Sequence, residues 1–222
     1  MWRPHSPKLI KTAAWKAWSQ SGTRPTPANP TTSSRNWPVE SPTKLPRGST
    51  VLEVAPGPGY FCIELAKLGD YSITGLDISH TFVEIAGKKA ASAGVRVDFR
   101  QGNASNMPFG DNTFEFLLCR AAFKNVGQPV RALQEMCRVL KPGGRGLIVD
   151  LRKDASMESI NQHVDGMGLN PVNKVLTKLA FRTMLLKSAY TRQQFQQMLA
   201  QASFRSVNIN EADIGFEISM TK

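Results

Sequence analysis

Val51-Leu-Glu-Val-Ala-Pro-Gly-Pro-Gly-Tyr60 is the stretch on which the fold turns. A short β-type run, apolar except for Glu53, enters a turn made of Ala55, Pro56, Gly57, Pro58 and Gly59. Apolar residues then recur at Phe61, Leu65 and Leu68, the spacing of a helix. The sequence therefore predicts strand, Gly/Pro turn, helix. Gly57 and Gly59 have no side chains, so a ligand can approach their backbone closely. The helix that follows would point unpaired N–H groups at the same space.

The same alternation continues outward from this segment. Strands are expected at about 50–55, 72–77, 95–101, 114–119 and 145–151. Several are nearly unbroken apolar runs, as in strands covered on both faces. Helical spacing appears between them, at Phe82, Ile85, Ala86 and Ala93, and again at Val130, Leu133, Met136, Cys137 and Leu140, where Pro142-Gly143-Gly144 ends it. A helical insertion at about 156–188 carries Val172, Val175, Leu176, Leu179, Thr183 and Leu186 on one face. Thr191 and Gln194 form a capping box for a further helix, and strands at about 206–210 and 215–221 close the chain. The expected class is α/β: a doubly wound, mostly parallel seven-stranded sheet with helices on both faces.

Residues 1–47 read differently. They hold eight of the 14 prolines and all four tryptophans, with eight Lys/Arg against one acid, Glu40. Prolines at 25, 27, 30, 38, 42 and 46 leave room only for a short helix at about 8–19. The segment reads as a basic Pro/Ser-rich leader to a domain spanning 48–222, with an organelle transit peptide as the minor alternative. The net charge of +11 over 222 residues is thus concentrated in the leader, since the remainder holds 20 Lys/Arg and 16 acids. Such a balance requires no nucleic-acid partner. No apolar run is long enough for a membrane span, and three scattered cysteines give no disulfide framework, so a cytoplasmic setting is expected. Oligomeric state is not legible.

The chemistry concentrates around the Gly turn. Asp77 ends the second expected strand, 24 residues after Glu53. An acid there can accept hydrogen bonds from both hydroxyls of a ribose; the alternative is a helix cap. The turn lacks the lysine and hydroxyl of a phosphate loop, and it departs from G-x-G-x-x-G at Ala55 and Cys62. Glu53 beside it suits a ligand that carries an ammonium group.

Three segments then resemble one family. Val51–Gly59 resembles the E/D-x-G-x-G-x-G loop of class I S-adenosylmethionine-dependent methyltransferases. Gly102-Asn-Ala-Ser-Asn-Met-Pro-Phe-Gly-Asp-Asn-Thr-Phe-Glu115 is similar to their G-D-A-x-x-L-P-F-x-D-x-x-F-D segment, and Arg138-Val-Leu-Lys-Pro-Gly-Gly144 to their R-V-L-K-P-G-G turn. The likeness is closest to the small-molecule branch that includes ubiquinone and menaquinone methyltransferases. It implies S-adenosylmethionine as cofactor and a small-molecule acceptor. It assigns Glu53 with Ala55, Pro56, Gly57 and Gly59 to the methionine part, Asp77 to the ribose, Ile78, Asn103 and Ala104 to the adenine, and Arg120 and Ala121 to the floor near the methionine carboxylate. Two departures are Ala55 for the first glycine and Asn103 for an aspartate.

On the acceptor side the candidates are Phe123, Lys124 and His163, with Met167 and Met184 as apolar wall. No general base stands out, and no His/Cys/acid cluster has metal-ligand spacing. Alternatives are a protein that binds S-adenosylmethionine without methylating, an RNA methyltransferase and a nicotinamide oxidoreductase. After the fourth strand stands Cys119-Arg-Ala-Ala rather than the N/D-P-P-Y/F tetrapeptide of many enzymes that methylate nucleic-acid amines, and the missing third loop glycine counts against a nicotinamide site.

Overall fold

The computed structural model describes residues 45–222. The short helix expected at 8–19, with the rest of residues 1–44, lies outside the described residues. Leu45, grouped with the leader by composition, is buried against Val51, Leu65 and Ile73, so the packed body reaches at least to residue 45.

The elements are β1 (Thr50–Val54), α1 (Tyr60–Leu68), β2 (Ser72–Asp77), α2 (His80–Ser92), β3 (Asp98–Gln101), β4 (Phe114–Arg120), α3 (Pro129–Val139), β5 (Leu140–Leu151), α4 (Met157–Asp165), α5 (Pro171–Ala180), α6 (Arg192–Leu199), β6 (Ser206–Glu211) and β7 (Gly215–Thr221). They form a seven-stranded sheet in the order β3-β2-β1-β4-β5-β7-β6. All pairings are parallel except those of β7 with β5 and β6. This is the doubly wound α/β sheet that the alternation predicts.

Strand periodicity divides the core into two layers. Leu52, Leu117 and Ile148 face Leu133 and Met136 of α3 and Phe195 of α6. Val51, Phe116 and Leu147 face the other way, toward Cys62 and Leu65 of α1. A third, smaller core holds Leu151, Ile160, Val164, Phe181 and Ile214, where α4 and the segment after α5 cap the end of β5.

Two boundaries differ from expectation. β3 begins at Asp98 rather than 95, because it is the sheet edge and only Asp98–Gln101 pair with Thr74–Asp77. β5 begins at Leu140, opposite Phe114; the Pro142-Gly143-Gly144 turn bulges out of the strand, and pairing resumes at Arg145 opposite Phe116. α5 continues from Ala180 into a wider π turn, Phe181–Leu185.

Candidate functional site

β2, β1 and β4 are adjacent and parallel, so Asp77, Val54 and Arg120 finish at one edge of the sheet. Strand order reverses between β1 and β4, which opens a crevice between the loops that leave them. The β1–α1 loop turns through three residues of positive φ: Ala55 at 57°, Gly57 at 54° and Gly59 at 77°. Ala55 carries a side chain in that conformation, at a cost of about 1–2 kcal/mol. Its N–H is fixed by a 2.7 Å bond to the Leu76 carbonyl. Gly59 is required by packing: a Cβ there would lie 2.6 Å from Phe99 Cζ and 2.9 Å from Ala86 Cβ. Its missing side chain seats the loop against α2 and β3.

Asp77 anchors this loop from the neighbouring strand. Its Oδ2 accepts the Gly57 N–H at 3.0 Å and its Oδ1 accepts the Ser79 N–H at 2.9 Å. The cap of α2 is Ser79, whose hydroxyl accepts from Phe82 N–H. Asp77 is therefore not the helix cap. Each of its oxygens takes one backbone donor and keeps a further acceptor direction. Ile78 beside it is exposed.

Glu53 is buried on β1 and accepts a hydrogen bond from the Cys62 thiol at 2.9 Å. Burial raises its carboxyl pKa, against the lowering effects of the Arg120 charge and the thiol bond; Asp77 adds a further upward push. Burial also pushes the Cys62 thiol well up, assisted by the Glu53 charge. Cys62 is a site neighbour that the spacing did not single out, since the position reads only as a missing glycine. Arg120, at the end of β4, lies 5.5 Å above the Phe61 ring. Its Nε is buried without a hydrogen-bond partner among the described residues. An acid and a guanidinium with an unpaired Nε thus stand at the same strand ends, an acceptor and a donor of the kind that fit the ammonium and carboxylate of an amino acid.

The loop after β3 closes another side. Asn103 Oδ1 accepts the Ser105 N–H at 2.9 Å, and the Ser105 hydroxyl donates to the Gln128 carbonyl. Ala104 packs against the core. This loop is clasped by α3: Arg138 donates to the Phe109 carbonyl at 2.8 Å, to Asp111 at 2.7 Å and to the Met107 carbonyl at 3.2 Å. Glu135 pairs with Arg138 and accepts the Met107 N–H at 2.7 Å. Two of the sequence motifs are therefore one physical unit.

Two of the acceptor-side candidates, Phe123 and Lys124, are turned inward. Phe123 is fully buried, with ring centroids 5.4 Å from Phe195 and 6.1 Å from Tyr190. Lys124 is also buried; its ammonium bonds Asp150 at 2.9 Å and the Ala121 carbonyl at 2.6 Å. A carboxylate inside the apolar β5 needs a partner, and the 3₁₀ turn Phe123–Asn125 brings Lys124 inward to supply it. The pair holds Ala121 at φ 55°, where its N–H donates to the Val149 carbonyl at 2.7 Å. Asp150 was missed, although a lone acid in an apolar strand was its signal. His163 lies on α4, edge-on to Phe181, with Nε2 buried and unpartnered among the described residues. Burial lowers its pKa, with Asp213 opposing.

Residues 52–148 match the family model described as a methyltransferase domain. The chain is 35% identical over 104 residues to the ubiquinone/menaquinone biosynthesis C-methyltransferase of Bdellovibrio bacteriovorus, covering 46% of this chain and 44% of that protein. It is 28% identical over 180 residues to the Haemophilus ducreyi protein of the same description, covering 76% and 69%. A solved S-adenosylmethionine-dependent methyltransferase from Aquifex aeolicus superposes with a TM-score of 0.64 at 19% identity, over 98% of this chain and 99% of that one, and shares the fold.

Proposed function

We propose that this chain is a class I S-adenosylmethionine-dependent methyltransferase, in keeping with the methyltransferase domain model that matches residues 52–148, and that it binds that cofactor in the β1/β2/β4 crevice and transfers its methyl group to a small-molecule acceptor. Names of its relatives point to a quinone precursor methylated at carbon. The observation that carries the reading is the arrangement of Asp77, with one backbone donor on each carboxylate oxygen, beside the Gly57 loop.

The chain's residues would act mainly by positioning. Asp77 would take the ribose hydroxyls. Glu53 and Arg120 would hold the ammonium and carboxylate of the methionine part. Asn103 and Ala104 would border the adenine, with Ile78 as a packing face. When bound, the cofactor supplies an electrophilic methyl group on a sulfonium. Holding an acceptor in line with it is worth up to about 7–11 kcal/mol of barrier when the geometry is well matched. Phe123 and Lys124 serve this only indirectly, by fixing the β4 exit on which Arg120 and Ala121 stand. The half-buried His163 is the remaining titratable candidate on the cap.

Calorimetry tests the first step: S-adenosylmethionine and S-adenosylhomocysteine should bind, and NAD should not. Mass spectrometry of reactions with demethylated quinols should then show a product one methyl heavier. Binding of NAD with no response to either sulfur compound would overturn the proposal.

A further inference from the structure

The helical face that the spacing predicts from Val172 to Leu179 does not face the core. Val172, Val175, Leu176 and Leu179 of α5 retain 68, 67, 57 and 53% of their side-chain exposure. They follow helical spacing and form one continuous aliphatic ridge. The buried face of the same helix is Thr177 and Ala180. Lys174 and Lys178 flank the buried face and share Asp165 on α4, at 3.6 and 3.0 Å. Arg182 and Lys187 follow, exposed and in no ion pair among the described residues. From 171 to 190 there are four cations and no acid. An outward apolar ridge bordered by cations is the pattern of a helix that lies on a membrane surface.

We propose that α5 and the turn after it dock on an anionic lipid surface. Charge decides among the occupants. The chain's own residues 1–47 carry eight Lys/Arg and one acid, the same sign as the ridge border. A second copy would oppose cations to cations. A protein groove is the less suited partner, because the ridge has no aromatic anchor of the kind that dominates such contacts. Lipid phosphates meet the cations while acyl chains take the aliphatic ridge. Among the described residues no helix is long and apolar enough to cross a membrane, so the contact is superficial. α4 and the π turn that continues α5 pack on the end of β5, at the strand ends where the crevice also opens, so docking would turn that end toward the lipid.

Flotation of the full chain tests this, with vesicles of phosphatidylcholine alone or mixed with phosphatidylglycerol. The parent should float with the mixed vesicles, less so in high salt, and little with the neutral ones. Each cation near the surface contributes about fivefold, so Arg182→Glu with Lys187→Glu should weaken binding well over tenfold. Leu176→Asp with Leu179→Asp should weaken it at least about tenfold with melting temperature and S-adenosylhomocysteine affinity unchanged. Three results would overturn the proposal. The parent shows no preference for anionic vesicles; the ridge variant floats as the parent does, which assigns binding to residues 1–47; or the ridge variant melts far lower, which shows the ridge covered within the chain or by a second copy. None of these readouts depends on methyl transfer, so the proposed activity and the lipid contact can fail separately.

Discussion

Replacing Asp77 with alanine removes two things at once, and the structure separates them. The first is the proposed acceptor for two ribose hydroxyls. Hydrogen bonds to a charged group contribute on the order of 1.5–3 kcal/mol, so affinity for S-adenosylhomocysteine should fall roughly 10- to 150-fold. The second is the anchor for Gly57 N–H at 3.0 Å and Ser79 N–H at 2.9 Å. Leaving a buried donor unsatisfied costs about 1–3 kcal/mol, so the variant should also melt lower. Asp77→Asn keeps one carbonyl, but its amide group must then face one of those two N–H donors, so some destabilisation should remain. A cycle with a ligand change isolates the ribose contact. Titration calorimetry would compare adenosylhomocysteine with its 2′-deoxy analogue on the parent and on Asp77→Ala. The deoxy analogue should bind more weakly than the full ligand to the parent, and the variant should discriminate little between the two. Equal sensitivity of both proteins to the missing hydroxyl would show that Asp77 only braces the loop, and the ribose assignment would fail.

Other perturbations probe the frame around the crevice. Lys124→Met leaves Asp150 buried without its cation, and urea denaturation should show a loss of about 3–5 kcal/mol; an unchanged midpoint would mean the pair does not hold the β4 exit. Gly59→Ala introduces both a strained φ of 77° and a Cβ against Phe99 and Ala86, so the loss should be about 2–5 kcal/mol; a near-neutral result in thermal melts would contradict the close packing of this loop. Lys141 and Thr50 hold the Glu115 carboxyl at a pKa of about 2, below its ordinary 4.5. Because the folded value is the lower one, its stabilisation is complete above about pH 4.5 and disappears as pH falls toward 2. Glu115→Gln should therefore be less stable than the parent at neutral pH and equal to it near pH 2, as followed by circular dichroism.

The parallel sheet was legible because β1, β2, β4 and β5 are apolar on both faces and are separated by helical spacing. Asp77's place at a strand tip followed from counting between motifs. What spacing does not carry is direction. The 172–179 stripe has the period of a buried helix face, yet Thr177 and Ala180 are the residues turned inward. Phe123 and Lys124 follow the β4 exit in sequence, and proximity to the crevice seemed to follow. The need of Asp150 for a counter-charge, set by a strand 26 residues further along, decided otherwise. Cys62 was visible only as a departure from a glycine pattern; its bond to Glu53 depends on how α1 lies across β1. Long-range partners of this kind are not encoded in any local period.

The Arg138 clasp sets a rule for recombination. Its partners fall at Met107, Phe109 and Asp111 on one side and Glu135 on the other. A chimera with a crossover anywhere between residues 112 and 134 would inherit its loop from one parent and its fastener from another. Crossovers placed before residue 102 or after residue 144 keep both halves from a single ancestor, so these are the breakpoints at which shuffled descendants should survive.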